Sequence, residues 1–224
     1  MSAPAAPDAA AALFGDRLPL AARYAERLAT TGVERGLLGP REVPRLWERH
    51  LVNCAVLADE LPAGAQVLDV GSGAGLPGLV LAIRRPDLAV QLLEPMLRRV
   101  TFLQETVAEL GLASAVSVVR GRAEEPAVRA AIGSASWIVA RAVAPLDRLA
   151  GWSLPLLVPG GRLLALKGER VAAELASARP LLERSGAGAM AVHELAGPAG
   201  VEPTWVAVVE RAARRSRREE GRRR

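Results

Sequence analysis

The chain has 224 residues, and half of them are hydrophobic, which is enough to bury the core of one α/β domain with extensions. One cysteine and two widely separated histidines argue against a disulfide framework and against a metal site, so we expect a protein of the reducing cytoplasm. The sequence shows neither an apolar run long enough to span a membrane nor a secretory h-region, which argues against membrane and exported proteins.

The net charge of +5 is concentrated in the last part of the chain. Residues 211–224 contain eight arginines and two glutamates, a net charge of +6, which leaves 21 basic and 22 acidic residues elsewhere. Two interpretations of this segment stay open. It is a disordered, solvated tail that keeps the protein soluble, or it is an arm that binds nucleic-acid phosphates in a salt-sensitive way with little dependence on sequence.

The first part of the chain predicts helices that precede the main domain. We expect residues 1–17 to be disordered, because the first twelve are mostly Ala and Pro. Residues 18–62 predict a helical extension with an amphipathic helix at 18–30 and a second helix at 45–61. His50 lies beside the apolar stripe of the second helix, where a hydrogen-bonded, partly buried histidine is the default interpretation.

The segment 66–78, QVLDVGSGAGLPG, organises the rest of the chain. Its apolar residues suit a short buried strand. Gly71, Gly73 and Gly75 then suit a sharp turn that a ligand can approach closely. Pro77 and the apolar residues after it predict the first turn of a helix. Strand, glycine turn and helix together are typical of the cofactor corner of a doubly wound α/β domain.

The residues of this glycine turn are compatible with two classes of ligand. The spacing Gly73-x-Gly75-x-x-Gly78, with Glu94 about 20 residues further on, matches the dinucleotide fingerprint. Asp69 favours a cationic ligand such as S-adenosylmethionine, because a carboxylate is a poor neighbour for a pyrophosphate. Glu94 can accept hydrogen bonds from a ribose in either case. A third interpretation makes Asp69 a turn-capping carboxylate.

Residues 63–210 predict the main domain. Helical and strand patterns alternate there, which predicts a mostly parallel sheet with helices on both faces. Strands are expected at 67–70, 88–93, 116–119, 137–140, 162–166, 191–195 and 204–210. No helix separates the last two strands, so we expect them to pair as an antiparallel hairpin at one edge.

Polar residues follow several of these strands. Ligands in such sheets bind beyond the carboxyl ends of the strands. The residues at those ends are Asp69, Glu94, the turn 120–125, Arg141 and Lys167. Ala123 and Glu124 lie where an adenine could be held. Arg141 follows an apolar strand, where a charge is costly unless it is paired, so it either binds a carboxylate in the core or faces the cleft.

Five segments of the chain carry a family resemblance. They are, in order, Arg49-His50, DVGSGAGLPG at 69–78, RRVTFL at 98–103, RAVAPL at 141–146 and ALKG at 165–168. This set resembles the RsmG (GidB) family of bacterial 16S ribosomal RNA methyltransferases, and the resemblance covers roughly residues 18–209. It implies a Rossmann-like class I methyltransferase that transfers a methyl group from S-adenosylmethionine to nitrogen-7 of one guanine.

The resemblance also implies roles for particular residues. It places cofactor contacts at Gly71, Gly73, Leu76, Glu94, Ala123, Glu124 and Arg141. It implies substrate or catalytic roles for His50, Arg141 and Lys167. We add Asp69 as a cofactor contact on the electrostatic argument above. The expected partner is 16S ribosomal RNA or a small-subunit particle, bound by a monomer whose segment 211–224 contacts RNA phosphates.

The chemistry of guanine nitrogen-7 suits this set of residues. That atom carries a lone pair and no proton, so its methylation needs positioning and no general base. Because aromatic residues are scarce, base stacking would fall to arginines or to Trp47 and Trp152. Two other functions stay open. One is an NAD-dependent oxidoreductase, favoured by the glycine spacing, and the other is a non-catalytic RNA-binding protein that relies on its basic tail.

Overall fold

The computed structural model of this chain describes residues 2–141 and 143–213, and a sheet of seven strands lies at its centre. The strands are β1 Gln66–Val70, β2 Ala89–Glu94, β3 Val116–Arg120, β4 Ala135–Arg141, β5 Leu157–Lys167, β6 Ala187–Leu195 and β7 Thr204–Arg211. Their order is β3-β2-β1-β4-β5-β7-β6. The strands β1 to β5 pair in parallel, whereas β7 is antiparallel to both β5 and β6. The predicted α/β class with an antiparallel edge pair is therefore confirmed.

Eight α-helices accompany the sheet in the described ranges. They are α1 Asp8–Phe14, α2 Leu18–Arg27, α3 Asn53–Ala55, α4 Gly78–Arg84, α5 Leu97–Glu109, α6 Pro126–Ile132, α7 Leu146–Ser153 and α8 Val171–Arg184. A π-helical turn, Leu46–Val52, and a 3-10 turn, Val56–Glu60, flank α3, so the predicted second helix is one helical segment of mixed geometry. None of the helices in the described part of the chain has the length and apolar character that a membrane crossing requires.

The sequence predicts a helix at 146–157 that ends at a stop signal in residues 158–161, and the structure differs there. The α-helix ends at Ser153, and a 3-10 turn, Leu154–Leu156, follows it. The segment Val158-Pro159-Gly160-Gly161, expected as a turn, lies inside β5. There it forms an irregularity, since Leu157 pairs with Ala135 whereas Arg162 already pairs with Trp137. A proline cannot donate a ladder hydrogen bond, so it is tolerated at such a bulge.

Two hydrophobic clusters cover the two faces of the sheet. Val67 belongs to the cluster that contains residues of the N-terminal extension, α4 and α5. Its neighbours Leu68 and Val70 belong to the cluster that contains residues of α6, α7 and α8. This division follows from the alternation of side chains along a strand. Because both faces are covered, the strand ends are left as the place where ligands can enter.

The prediction that residues 1–17 are disordered is wrong for the part that the structure describes. Helix α1 buries Phe14, whose ring packs edge-on against Trp47 with the centroids 6.4 Å apart. The indole Nε1 of Trp47 donates a hydrogen bond to the carbonyl of Pro4 over 2.9 Å. Alanine is the best helix former, and the buried side chains of Ala10 and Phe14 pack this short helix against the rest of the protein. At the other end of the chain, residues 214–224 lie outside the described residues, so the predictions for the basic tail stay predictions.

Candidate functional site

A cleft of about 560 Å³ opens beyond the carboxyl ends of β1, β2, β3 and β4. Cavities of this size hold cofactors and small ligands. A second cavity, of about 320 Å³, lies at the amino ends of β1, β2 and β3, and no ionisable side chain lines it. The larger cleft is lined by both acidic and basic residues and lies where the sheet topology predicts a ligand. It is therefore the candidate site.

The glycine turn after β1 forms one wall of this cleft. Gly71, Gly73 and Gly75 have φ angles of +74°, +59° and +101°, in the region that side chains disfavour. A Cβ atom on Gly71 would lie 2.7 Å from a methyl of Val143, and one on Gly75 would lie 2.4 Å from a methyl of Leu79. Glycine is thus required at these positions both by the backbone and by close packing.

Tyr24 holds the glycine turn from behind, a role that the sequence pattern did not predict. This residue of α2 is fully buried, and its hydroxyl donates a hydrogen bond to the carbonyl of Ala74 over 2.8 Å. Burial raises the pKa of Tyr24 well above its usual value, so the hydroxyl keeps its proton. The sequence marked Tyr24 only as part of an apolar helix face, and nothing local indicated its partner 50 residues away.

Asp69 lies behind the turn and does not line the cleft. Its side chain is fully buried, and Oδ2 accepts a hydrogen bond from the backbone N–H of Gly78 over 2.9 Å. Burial raises the pKa of Asp69 to about 7, and Oδ1 has no hydrogen-bond partner in the structure. The geometry therefore gives no support to the expectation that this carboxylate faces a cationic ligand, which stays a prediction. The turn-capping interpretation agrees with the geometry, because the cap joins β1 to the start of α4.

Glu94 is the buried carboxylate that lines the cleft. It ends β2 and is 1% exposed. Oε2 accepts a hydrogen bond from the N–H of Gly73 over 2.9 Å, and Oε1 accepts one from the N–H of Met96 over 3.0 Å. Arg99 approaches Oε2 at 3.6 Å. Each oxygen keeps a further lone pair, so Glu94 can accept hydrogen bonds from ligand hydroxyls while it holds the glycine turn in place.

The remaining walls of the cleft combine predicted and unpredicted residues. Leu76, Ala123 and Glu124 line it, as expected from the sequence. The lining residues that were not predicted as contacts include Leu37, Leu38, Met96, Arg99, Arg122 and Val143. Of the two tryptophans considered for base stacking, Trp152 lines the cleft, whereas Trp47 is buried against Phe14.

Arg141 lines the cleft and at the same time ties it to the N-terminal extension. Its Nη2 donates to the carbonyl of Arg49 over 3.0 Å and to Nδ1 of His50 over 2.8 Å. Its Nη1 lies 3.2 Å from Sγ of Cys54 and 3.4 Å from the carbonyl of His50. The sequence left open whether Arg141 binds a core carboxylate or faces the cleft. It faces the cleft, and its hydrogen-bond partners are backbone carbonyls and an imidazole instead of a carboxylate. The sequence indicated this arginine but none of its partners.

His50 lines the cleft as a neutral side chain. It is 8% exposed, and both ring nitrogens are engaged. Because Arg141 can only donate, Nδ1 accepts, and Nε2 carries the proton that it donates to Glu42 over 3.0 Å. Burial and the neighbouring Arg141 lower the pKa of His50 to about 4. The default interpretation of His50 agrees with this geometry, and at neutral pH the residue adds no charge to the cleft.

Lys167 does not line the cleft, so its predicted contact with substrate finds no support. Its Nζ donates to the carbonyl of Ala144 and to Oε1 of Glu174, each over 2.8 Å. The same carboxylate oxygen accepts a hydrogen bond from the N–H of Leu146 over 2.7 Å. Lys167 therefore joins the end of β5 to the loop after β4 and to α8. That loop also contains Val143, a residue of the cleft wall, so the contacts of Lys167 lie next to the cleft and not in it.

Comparison of the whole sequence places it among rRNA-modifying proteins. Residues 17–200 match the family described as rRNA small subunit methyltransferase G, GidB. A protein of Salinispora tropica named ribosomal RNA small subunit methyltransferase G is 56% identical over 208 residues, covering 91% of this chain and 85% of the relative. A protein of Mycobacterium marinum with the same name is 63% identical over 180 residues, covering 80% of this chain and 78% of the relative.

Solved structures of methyltransferases share the fold at low sequence identity. The S-adenosylmethionine-dependent methyltransferase SibL superposes with a TM-score of 0.58 at 21% identity, covering 84% of this chain and 62% of SibL. An O-methyltransferase from Bacillus cereus in complex with SAH superposes with a TM-score of 0.55 at 15% identity, covering 84% of this chain and 90% of that protein. At these identities the likeness concerns the fold alone.

Proposed function

The chain belongs to the rRNA small subunit methyltransferase G (GidB) family, and we propose that it methylates nitrogen-7 of one guanine in 16S ribosomal RNA. Membership in the family makes it an S-adenosylmethionine-dependent methyltransferase of small-subunit rRNA. The family also decides against the NAD-dependent oxidoreductase and against the non-catalytic RNA-binding protein that the sequence left open. The state of His50 is the observation that carries the choice of nitrogen-7.

The cleft residues fit the proposed cofactor. The buried carboxylate of Glu94 offers free lone pairs at the end of β2, where ribose hydroxyls can donate to it. Leu76 and Ala123 supply apolar surface for an adenine, and Glu124 lies beside them. Gly73 leaves the turn without a side chain, so a ligand can approach the backbone closely. When bound, S-adenosylmethionine supplies a methyl group on a positively charged sulfonium.

The histidine of the cleft is unsuited to the role of a general base. With a pKa of about 4, His50 binds a proton weakly at neutral pH, and its Nδ1 already accepts a hydrogen bond from Arg141. Lys167 does not line the cleft. Methylation of an exocyclic amine requires loss of a proton, whereas nitrogen-7 of guanine carries none. The state of His50 therefore supports nitrogen-7 as the target.

The protein's own residues then act mainly by positioning. Correct orientation of two reacting groups can contribute roughly 7–11 kcal/mol to lowering a barrier. Glu94 and the glycine turn orient the donor, and Tyr24 keeps the turn fixed from the N-terminal extension. Arg141 and neutral His50 line the same cleft from β4 and from the N-terminal extension. We assign Arg141 and His50 to the placement of the base and Lys167 to support of the adjoining loop.

The partner and the site of action follow from this reaction. We propose that the enzyme works in the cytoplasm on 16S rRNA or a small-subunit particle, where its substrate is found. We also propose that it acts as a monomer. The net charge of +6 in residues 211–224 supports contact between this segment and RNA phosphates.

Methylation of isolated particles tests the proposed function. The purified protein is incubated with methyl-labelled S-adenosylmethionine and small subunits from cells that lack the enzyme. The rRNA is then digested and mapped by mass spectrometry. We expect one 7-methylguanosine that depends on the protein, and calorimetry should detect binding of S-adenosylmethionine and none of NAD. A methyl group on an exocyclic amine, or binding of NAD alone, would contradict the proposal.

A further inference from the structure

Two large apolar side chains project into solvent at the rim of the cleft. Met96 is 41% exposed and lines the cleft, and the adjacent Leu97 is 57% exposed. Among the described residues only one other large hydrophobic side chain is exposed to this degree, Leu181, at 43% on α8. Single exposed apolar residues are common on proteins. Two in succession at the mouth of an active site indicate a surface that a partner covers.

Arginines surround this apolar pair. Arg98 and Arg99 follow directly in the first turn of α5, and no acidic residue occupies that turn. Arg98 is exposed, and so is Arg122, which lines the same cleft from the turn after β3. Cations near the N-terminus of a helix do not stabilise it, because the helix dipole is positive there. Arg99 lies 3.6 Å from Glu94, whereas Arg98 and Arg122 form no ion pair within the described part of the chain, so the charge of these two is available to an anion outside the protein. The combination of apolar and cationic groups matches an RNA strand.

The position of nitrogen-7 in guanine determines which base faces a bound RNA strand exposes to the protein. In an A-form helix, nitrogen-7 of guanine lies in a deep and narrow groove that side chains cannot reach. Enzymes that modify a base take it out of the stack, which leaves the flanking bases without a neighbour on one side. Aromatic side chains often cover such faces. In this chain Phe14, Tyr24, Trp47 and Phe102 are buried and cannot do so, whereas Trp152 lines the cleft and can cover one such face, which leaves the other to non-aromatic side chains.

We propose that Met96 and Leu97 pack against the bases that flank the target guanosine while that guanosine is extruded into the cleft. Arg98 and Arg122 bind the phosphates on either side of it. Apolar side chains that wedge against base steps are known from proteins that deform nucleic acids. The backbone N–H of Met96 is held by Glu94, which couples the position of this apolar pair to the cofactor side of the cleft. The proposal rests on the proposed function, because it assumes an RNA guanosine as substrate.

Truncation of the apolar pair tests the contact kinetically. The double variant Met96→Ala, Leu97→Ala removes exposed side-chain atoms and leaves the backbone bond to Glu94 in place. We expect KM for small ribosomal subunits, measured at saturating S-adenosylmethionine, to rise about tenfold, the loss that corresponds to about 1.4 kcal/mol. Because Met96 also lines the cofactor cleft, the Kd for S-adenosylmethionine is measured separately. Leu181→Ala, an equally exposed apolar position on another helix, is the matched control and should behave as the wild type.

The result separates this proposal from the proposed function. An unchanged KM in the double variant, with an active wild-type enzyme in the same assay, overturns the contact and leaves the methyltransferase assignment intact. A wild-type enzyme that methylates no RNA overturns both. An equal rise of KM in Leu181→Ala shows a general loss of surface apolarity and also overturns the specific contact.

Photo-crosslinking identifies what the apolar pair touches. The full-length enzyme carrying p-benzoylphenylalanine in place of Leu97 is bound to small subunits together with SAH and irradiated. We expect crosslinks to nucleotides directly next to the methylated guanine. Crosslinks to a ribosomal protein, to RNA remote from that guanine, or to nothing while the enzyme is bound would overturn the proposal.

Discussion

Arg141 donates a hydrogen bond to Nδ1 of His50 over 2.8 Å, and this bond joins the end of β4 to the helical extension. The same guanidinium reaches the carbonyl of Arg49 over 3.0 Å. Both Arg141 and His50 line the cleft. The N-terminal extension is thus part of the candidate site, and the hydrogen bond between these two cleft residues requires an unprotonated Nδ1 on His50.

Replacement of Arg141 should abolish turnover while the protein stays folded. Arg141→Ala removes all four of its hydrogen bonds, so the cleft wall and the extension lose their common anchor. We expect kcat to fall by about a hundredfold or more, as misplacement of a substrate by about 1 Å can do. Arg141→Lys is the stricter comparison, because the lysine ammonium keeps the positive charge but cannot reproduce the planar array of N–H donors of the guanidinium. Near-normal turnover in Arg141→Ala, measured beside urea unfolding, would show that the arginine is only structural.

Glu42 should act on turnover through the tautomer of His50. Its carboxylate accepts the Nε2 proton, which leaves Nδ1 free to accept from Arg141. Glu42→Leu removes that acceptor, whereas the side-chain carbonyl of Glu42→Gln can replace it. We expect turnover to fall in Glu42→Leu and to be largely retained in Glu42→Gln. Imidazole ¹⁵N shifts should show a protonated Nε2 in the wild type and in Glu42→Gln. A protonated Nδ1 in the wild type would contradict the assignment.

Tyr24→Phe should weaken binding of the cofactor more than it slows the reaction. The substitution leaves the buried carbonyl of Ala74 without its donor, a loss of about 1–3 kcal/mol in the free energy of unfolding. A loosened glycine turn should raise the Kd for S-adenosylmethionine, while kcat at saturating donor changes little. Calorimetry and urea unfolding measure the two quantities separately. If stability falls and the Kd does not change, Tyr24 supports the fold without setting the shape of the turn.

The free energy of unfolding of Asp69→Asn should rise relative to that of the wild type as the pH rises. Burial raises the pKa of Asp69 to about 7 in the folded protein, above its value of 3.8 in an unfolded chain. The unfolded chain therefore releases this proton first, and the stability due to Asp69 is present below pH 3.8, is lost as the pH rises from there to about 7, and changes little above that pH. Between these two pKa values, the free energy of unfolding of the wild type should fall by at most about 1.4 kcal/mol per pH unit relative to that of Asp69→Asn. Urea unfolding of both proteins at pH 5 and pH 8 checks the sign, and a constant difference would contradict it.

Removal of residues 214–224 should weaken RNA binding and leave methylation in place. This segment carries seven arginines and two glutamates, and the truncation keeps β7 complete. The slope of log K against log salt concentration should become shallower by about 0.7–0.9 for each phosphate that the shortened protein no longer neutralises. A variant with these arginines replaced by glutamine separates charge from length. Loss of methylation in a folded truncation, or an unchanged salt slope, would contradict the role of the arm.

The sequence alone determined the features that depend on a few neighbouring residues. Alternating helix and strand patterns predicted the parallel sheet, because periodicity reports which face of an element is buried. The spacing of Gly71, Gly73 and Gly75 predicted the turn, since their positive φ angles follow from local backbone sterics. Glu94 was predicted because the end of β2 has a defined place in this topology. Composition misled where a short helix depended on a distant partner, as Phe14 does on Trp47, and the local stop signal misled at residues 158–161, which lie inside β5.

Only the tertiary structure decided which polar groups face the cleft. Asp69 and Glu94 both end neighbouring strands, yet one is sealed behind the turn and the other lines the cavity. Tyr24 reaches a carbonyl 50 residues away, and Arg141 reaches a histidine 91 residues away. Such pairs form when packing brings separate elements together, and the free energy of each depends on burial and on the direction of the side chain. A local pattern contains neither quantity, so the sequence could name the residues of the site without showing how they meet.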